Sequence, residues 1–401
     1  MPLKPLFYIS RAFCLTHTQT FNKEKNEDRK TRFQHITLVC LWNIVLLIGM
    51  VHSMYFACYN YNEYPDKVKT TLIVYYVTLH CTTIVTSITS SVNRKKIPGI
   101  LQRLMDIDKL TEYKEMAEVY RKTKREVVIQ ITTLFLTILI ATALEFYCFS
   151  DLTLTFILSH TLEFITRISN IIMVLLYINI VRLVRHRYLN IFESLAEYVE
   201  VMDMSAVKYT NCFIILHRGR WELPTTKRSS IQLLPGQSKQ LQTLRLLYIE
   251  MYDTVQMITS HFGVPILCHI LSVMVTCVLM FYSAFHFIHS AITNSEGVTT
   301  YIMSCYLIFY GIMYVTPFVW LVISCGDTAQ DANRAVIHIH RAIASPYPGN
   351  DVITELEKLS NQLKDMKVEF SVCGLFVLNL PFLCTFVGGI FTYIIIMVQL
   401  N

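Results

Sequence analysis

Seven stretches along the chain are almost free of charge, near residues 34–57, 70–92, 126–149, 156–181, 262–290, 300–324 and 372–399. Each is as long as the roughly 20 residues, at about 1.5 Å rise apiece, that a helix needs to cross a hydrocarbon layer. The fourth carries His160, Glu163 and Arg167, and it counts as a span because Ile171 to Val184 continues the apolar run. Between these windows the pattern changes to apolar positions three and four residues apart. Leu189, Phe192, Leu195, Ala196 and Val199 form one such stripe within 184–212. Leu241, Leu244, Leu247, Tyr248, Met251 and Val255 form another. This spacing predicts amphipathic helices that lie outside the membrane. A polar hinge from Gly219 to Gly236, holding Pro224 and Pro235, separates the two. The sixth span runs on past Asp327 to Ala344 and stops at Ser345-Pro-Tyr-Pro-Gly, and Asp351 to Phe370 resumes as a further amphipathic helix. These projecting helices either pack within one chain or form a platform for subunit assembly, and the pattern suits both.

Composition agrees with a membrane protein: 53% of the 401 residues are apolar and 16% charged, against about 25% charged in soluble domains. The net charge of +6 does not point to nucleic acid, because Lys and Arg sit between apolar runs and not along one polar face. The 12 cysteines are scattered with no CxxC pair, which argues against a disulfide scaffold or a zinc site. Cys58 and Cys148 fall near one surface, but two free thiols fit their apolar surroundings better than a bridge. Residues 1–33 are polar and basic with no apolar core of a cleavable signal, so the first span is expected to insert itself.

The charges also orient the spans. Of the 35 Lys and Arg residues, 32 lie before span one or in the second, fourth and sixth connections. Lys67 and Lys69 alone lie in the first connection, and the third, the fifth and the tail hold none. Positive residues stay cytoplasmic, so the amino end is expected inside and the carboxyl end outside. This orientation is opposite to that of a G-protein-coupled receptor. No Asp-Arg-Tyr follows span three and no Asn-Pro-x-x-Tyr lies in span seven. The organisation expected is a cytoplasmic segment (1–33), spans one to four (34–183), a cytoplasmic helical extension (184–261), spans five and six (262–324), cytoplasmic anchor helices (325–371) and a last span (372–401).

Ionisable groups inside a span cost about 2.5 to 3.5 kcal/mol each on insertion scales, so they face protein or water. His160, Glu163, Arg167 and Asn170 share one helical face, and Glu163 and Arg167 can pair as i,i+4. An internal ion pair that neutralises itself accounts for those two slightly better than direct ligand contact. With the amino end inside, the outer halves of spans two to six also hold Tyr75, Tyr76, His80, Glu145, Tyr282, His286, Tyr301, Tyr306 and Tyr310. Aromatic faces beside imidazoles and hydroxyls suit a small-molecule pocket. An interfacial aromatic belt explains Tyr282 and Tyr301 equally well. No catalytic, cofactor or metal motif competes: HExxH, a Walker loop and GxGxxG are all missing. Seven spans without self-similar halves also disfavour a transporter.

The last span ends Thr392-Tyr393, five apolar residues, then Gln399, and Thr392, Ile396 and Gln399 share a face. Copies of such a helix around an axis would make polar and apolar rings, and an apolar ring can gate by dewetting. A helix-packing face is the plainer explanation. The Thr392-Tyr393 and Gln399 ending, with Gly374-Leu375-Phe376 ahead of it, resembles the carboxyl-terminal signature of insect gustatory receptors. Where that family usually closes Gln-Phe this chain has Gln-Leu, as the related odorant co-receptor does. The resemblance implies an all-α membrane protein of seven spans with a cytoplasmic helical anchor. It also implies a homotetrameric tastant-gated cation channel, or a hetero-oligomer with related receptors, in the plasma membrane. Thr392, Tyr393, Ile396 and Gln399 would line the pore, with Pro381 and Gly388-Gly389 as a hinge. Ligand candidates are His80, Tyr76, Glu145, His160, Glu163, Arg167, His286, Tyr306 and Tyr310. A bitter or other plant metabolite is favoured, with sugar an alternative. A metabotropic receptor of inverted topology is the runner-up, and a transporter follows it.

Overall fold

The computed structural model describes residues 3–16, 29–60, 66–111, 116–148, 154–216, 237–293, 298–344 and 350–399. Ten helices and one hairpin make up the described chain: α1 (Lys4–Ala12), α2 (Arg29–Asn60), α3 (Asp66–Val92), α4 (Lys96–Thr111), α5 (Met116–Cys148), α6 (Leu154–Leu216), α7 (Gln237–Thr293), α8 (Val298–Ala344), α9 (Asn350–Asp365), β1 (Ser371–Val372), β2 (Phe376–Val377) and α10 (Leu380–Gln399). Seven of these, α2, α3, α5, α6, α7, α8 and α10, are long and apolar enough to cross a membrane. The segments Gly219 to Gly236 and Ser345 to Gly349, read from sequence as breaks, lie outside the described residues, as do the side chains of Glu145 and Cys148. Cys58 is a free thiol.

Burial sorts the spans. Along α6, Ile171 to Val181 is buried on every side, which marks a central helix and not an amphipathic one. Tyr177 of α6 stacks on Phe262 of α7, with ring centroids 4.6 Å apart. By contrast α2 exposes Leu38, Leu41, Ile44 and Ile48, and α5 exposes Phe135, Leu136 and Leu139. In water these would be liabilities; in a bilayer they are the lipid-facing surface.

The bundle extends past the spans on the side where α2 begins, called the anchor side here. Helices α6, α7 and α8 each run unbroken from span into extension. Charges that the sequence offered as a topology signal close this region. Arg187 is buried on α6 and reaches Asp108 of α4 at 2.7 Å and the Tyr120 hydroxyl of α5 at 3.1 Å. Arg185 donates to Asp327 at 2.9 Å and Asp331 at 2.7 Å, both on α8. Leu356, Leu359 and Leu363 bury one face of α9, and Arg245 of α7 lies 3.7 Å from Glu355 on α9.

Three features depart from the sequence reading. The supposedly polar first segment contains α1, which buries Leu6, Phe7 and Ser10; its amphipathic pattern is short and flanked by charge. Helix α4 was not anticipated, although Ile97, Ile100, Leu104 and Ile107 bury one of its faces. The seventh span begins at Leu380, not at 372. Residues 371–377 form instead a tight hairpin, pairing Ser371 with Val377 and Val372 with Phe376. Cys373 and Gly374 take positive φ at its tip, 52° and 72°, a conformation that no continuing helix can contain.

Candidate functional site

Three spans meet around one arginine. On α6 the i,i+4 spacing brings Arg167 onto Glu163 as a buried ion pair, as the sequence spacing suggested. Tyr75 of α3 donates its hydroxyl to Glu163 and accepts from Arg167 Nε at 3.0 Å and Nη2 at 2.6 Å. The guanidinium lies 4.0 Å from the ring centroid of Tyr310 on α8. A desolvated cation over a tyrosine face is worth up to about 2 kcal/mol. Glu163 is 2% and Arg167 6% exposed, so removing either partner would strand a buried charge, at a cost of about 3 to 5 kcal/mol. His160 Nδ1 stands 3.7 Å from Oε2 of Glu163.

Arg167 also faces a narrow crevice between α5, α6 and α8. Its walls are Ile138 and Ala141, Phe164, Ile168 and Ile171, and Tyr306, Tyr310 and Met313. Ile138 is ten residues from the end of α5, Arg167 thirteen from the start of α6, and Tyr310 twelve from the start of α8. All three depths are roughly 15 to 20 Å from the side opposite the anchor. The Tyr310 and Tyr306 rings lie 6.1 Å apart.

The other candidates are dispersed. Tyr76 is buried beside Tyr75, with ring centroids 5.2 Å apart. His80 is fully buried, bonding through Nδ1 to the Tyr76 carbonyl at 2.9 Å. A Cβ built on Gly49 would lie 3.6 Å from the Nε2 of His80, so this imidazole packs between α2 and α3, away from the crevice. His286 is exposed and Tyr301 is 46% exposed, while Tyr282 is buried. Neither His286, Tyr282 nor Tyr301 lines the crevice. Residues that sequence reasoning did not name as ligand candidates continue the polar seam below Arg167. Thr83 donates to Asn170 at 2.9 Å, Asn170 to the Leu79 carbonyl at 3.3 Å, and Thr82 to the Cys268 carbonyl at 3.1 Å. The run of small hydroxyl residues on α3 was their signal, since such residues glue membrane helices.

Helix α10 starts on a cap: Asn379 Oδ1 accepts from the Phe382 amide at 3.0 Å. Pro381 follows in the first turn, where its missing N–H breaks no intrahelical bond. It therefore starts the helix and does not bend it, so of the expected hinge residues Gly388 and Gly389 alone lie in the helix interior. A Cβ at either would meet nothing within 4 Å. Thr392, Tyr393, Ile396 and Gln399 are exposed, and Thr392 bonds the Gly388 carbonyl at 2.9 Å. The base of α10 is held to α8, where Phe318 packs on Phe386 and Phe382, with centroids at 4.9 and 6.4 Å.

A family profile described as "7tm Chemosensory receptor" matches residues 3–400. The fold is similar to that of the insect olfactory receptor OR5 from Machilis hrabei, with a TM-score of 0.60, 10% identity, and 100% of this chain and 98% of the other covered. The same receptor in complex with eugenol superimposes with a TM-score of 0.59 at 12% identity, covering 100% and 99%. No curated protein sequence matches this chain.

Proposed function

The chain belongs to the 7tm chemosensory receptor family, a multi-pass membrane protein, and from that premise we propose that it is a gustatory receptor and a ligand-gated, non-selective cation channel of the sensory-neuron plasma membrane. The amino end lies in the cytosol, as the positive-residue count favours. Four copies assemble through the anchor, and the α10 helices surround the ion path. A taste role, as against smell, rests on the Thr392-Tyr393 and Gln399 ending. The similar olfactory receptor was solved with a small aromatic ligand, which supports small-molecule recognition here.

The observation that carries the reading is continuity along α8. Tyr310 walls the crevice and Phe318, two turns on, grips the base of α10. A ligand that wedges between α6 and α8 shifts α8, and α8 carries α10 with it. Gating then follows from higher ligand affinity for the displaced arrangement.

Patch recording from cells that express only this chain tests the proposal. The expected result is a ligand-evoked cation current that persists in excised patches without nucleotide. A response that vanishes on excision and returns with guanine nucleotide would support the metabotropic alternative. Ile396→Ala and Gln399→Ala are expected to change conductance or resting open probability. Unchanged currents in both would remove α10 from the ion path.

A further inference from the structure

Two hydrogen-bonding groups at the crevice are unused. The hydroxyl of Tyr310 is buried without a hydrogen-bond partner among the described residues, and Tyr310 itself is 2% exposed. Arg167 spends Nε and Nη2 on Tyr75 and Glu163, which leaves Nη1 without a partner among the described residues. A buried polar group left unpaired costs about 1 to 3 kcal/mol. Every other wall of the crevice is apolar or aromatic: Ile138, Ala141, Phe164, Ile171 and Met313, with Tyr306 at one edge.

From this we infer that the crevice selects small, uncharged, largely apolar compounds that carry one or two oxygen acceptors, such as aromatic esters and ketones, and rejects carboxylates, amines and sugars. The inference rests on the receptor reading for its site and adds the ligand class. Charge decides the first exclusion. Glu163 already neutralises Arg167, so a second carboxylate would enter a desolvated site with no counter-charge, and an ammonium would meet the guanidinium. Hydrogen-bond count decides the second. A sugar brings several hydroxyls to a site with two open groups, and each hydroxyl left unpaired carries the same burial cost. A carbonyl or ester oxygen accepts from Arg167 Nη1 or the Tyr310 hydroxyl, while an aromatic body lies against Phe164 and Tyr306. The crevice is narrow, so entry displaces side chains. Met313 is unbranched and yields readily, and the Tyr310 hydroxyl is tethered to none of the described residues.

Photolabelling of the purified full-length chain with benzophenone, itself an uncharged aromatic ketone, reads occupancy without relying on channel opening. The expected result is a cross-link at Met313 or its neighbours, reduced at least severalfold by excess methyl benzoate and unaffected by sodium benzoate or sucrose. Tyr310→Phe, which keeps the ring, should raise the methyl benzoate concentration needed for competition by roughly fivefold, the value of about one hydrogen bond. Equal competition by benzoate or sucrose, labelling that methyl benzoate does not displace, or a Tyr310→Phe chain indistinguishable from the parent would each overturn the inference. The paired variant Glu163→Gln/Arg167→Gln removes both charges together and guards against misfolding; the site stays desolvated and without net charge, so it should keep the preference for methyl benzoate over benzoate, and a loss of that preference would overturn the charge argument. A chain that labels as expected but carries no current would sink the channel reading and leave this one standing. A chain that conducts in response to sucrose displaced from this crevice would do the reverse.

Discussion

Single side chains on the anchor side hold helices together through charge. Arg187 is buried and donates to Asp108, to the Leu104 carbonyl at 3.3 Å and to the Leu183 carbonyl at 2.6 Å, so one guanidinium ties α4 to α6. Arg187→Met is expected to cost about 3 to 5 kcal/mol, because it breaks a buried ion pair by removing the cation that faces Asp108; thermal unfolding of the detergent-solubilised chain would measure it. The double change Arg187→Met/Asp108→Leu should recover most of the loss. A pH effect is expected at Glu355, where a hydrogen bond from Lys358 holds the carboxyl below its usual range, helped by the charges of Lys358 and Arg245 and opposed by burial. A depressed carboxyl adds stability above the ordinary carboxylate range and loses it as pH falls through the lowered value. The melting difference between the parent and Glu355→Gln should therefore be present at neutral pH and close in acid.

At the scale of elements, the hairpin and the two faces of α8 matter most. Gly374 sits at φ 72°, so Gly374→Ala is expected to lose about 1 kcal/mol from backbone strain. Gly389→Ala, in the interior of α10 with open space around the new methyl, should gain about 0.5 to 1 kcal/mol of helix stability and shift the resting open probability if that position flexes. Stability assays on both variants, with recordings on the second, check the contrast. Phe318→Leu tests the coupling along α8. It trims the contact with Phe382 and Phe386 while leaving the crevice intact. Photolabelling should be unchanged while the maximal ligand-evoked current falls; a fall in both would mean that Phe318 serves only packing.

For the whole molecule, the distribution of exposed apolar residues has two causes. The outer faces of α2 and α5 expose mostly apolar residues, the composition that a lipid-facing surface requires. Helix α10 exposes Phe391, Ile395 and Ile396 together with Thr392 and Gln399, a mixture of apolar and polar groups that suits neither lipid nor water alone. Surrounding a shared axis would give each side of α10 its own environment. Native mass measurement is expected to find particles of four times the 46.6 kDa chain, and a monodisperse monomer in mild detergent would oppose the channel proposal.

Much of this protein was legible in its residues because the bilayer imposes a severe, local rule: only long apolar segments can lie in it, and charge must stay out. Seven spans, the helical extensions and the Glu163–Arg167 pair all follow from spacing within single segments. The motif that pointed to the family is likewise contiguous. Partners from different helices were not written in that way. That Tyr75 and Tyr310 close on Arg167 while His80 turns toward Gly49 depends on how α3 and α8 rotate against α6, and no periodicity fixes that rotation. The late start of α10 depended on a left-handed turn at Cys373 and Gly374, where the hydrophobic pattern continues without a break. Local composition thus set which segments enter the membrane, and side-chain packing between distant segments decided which of their polar groups meet.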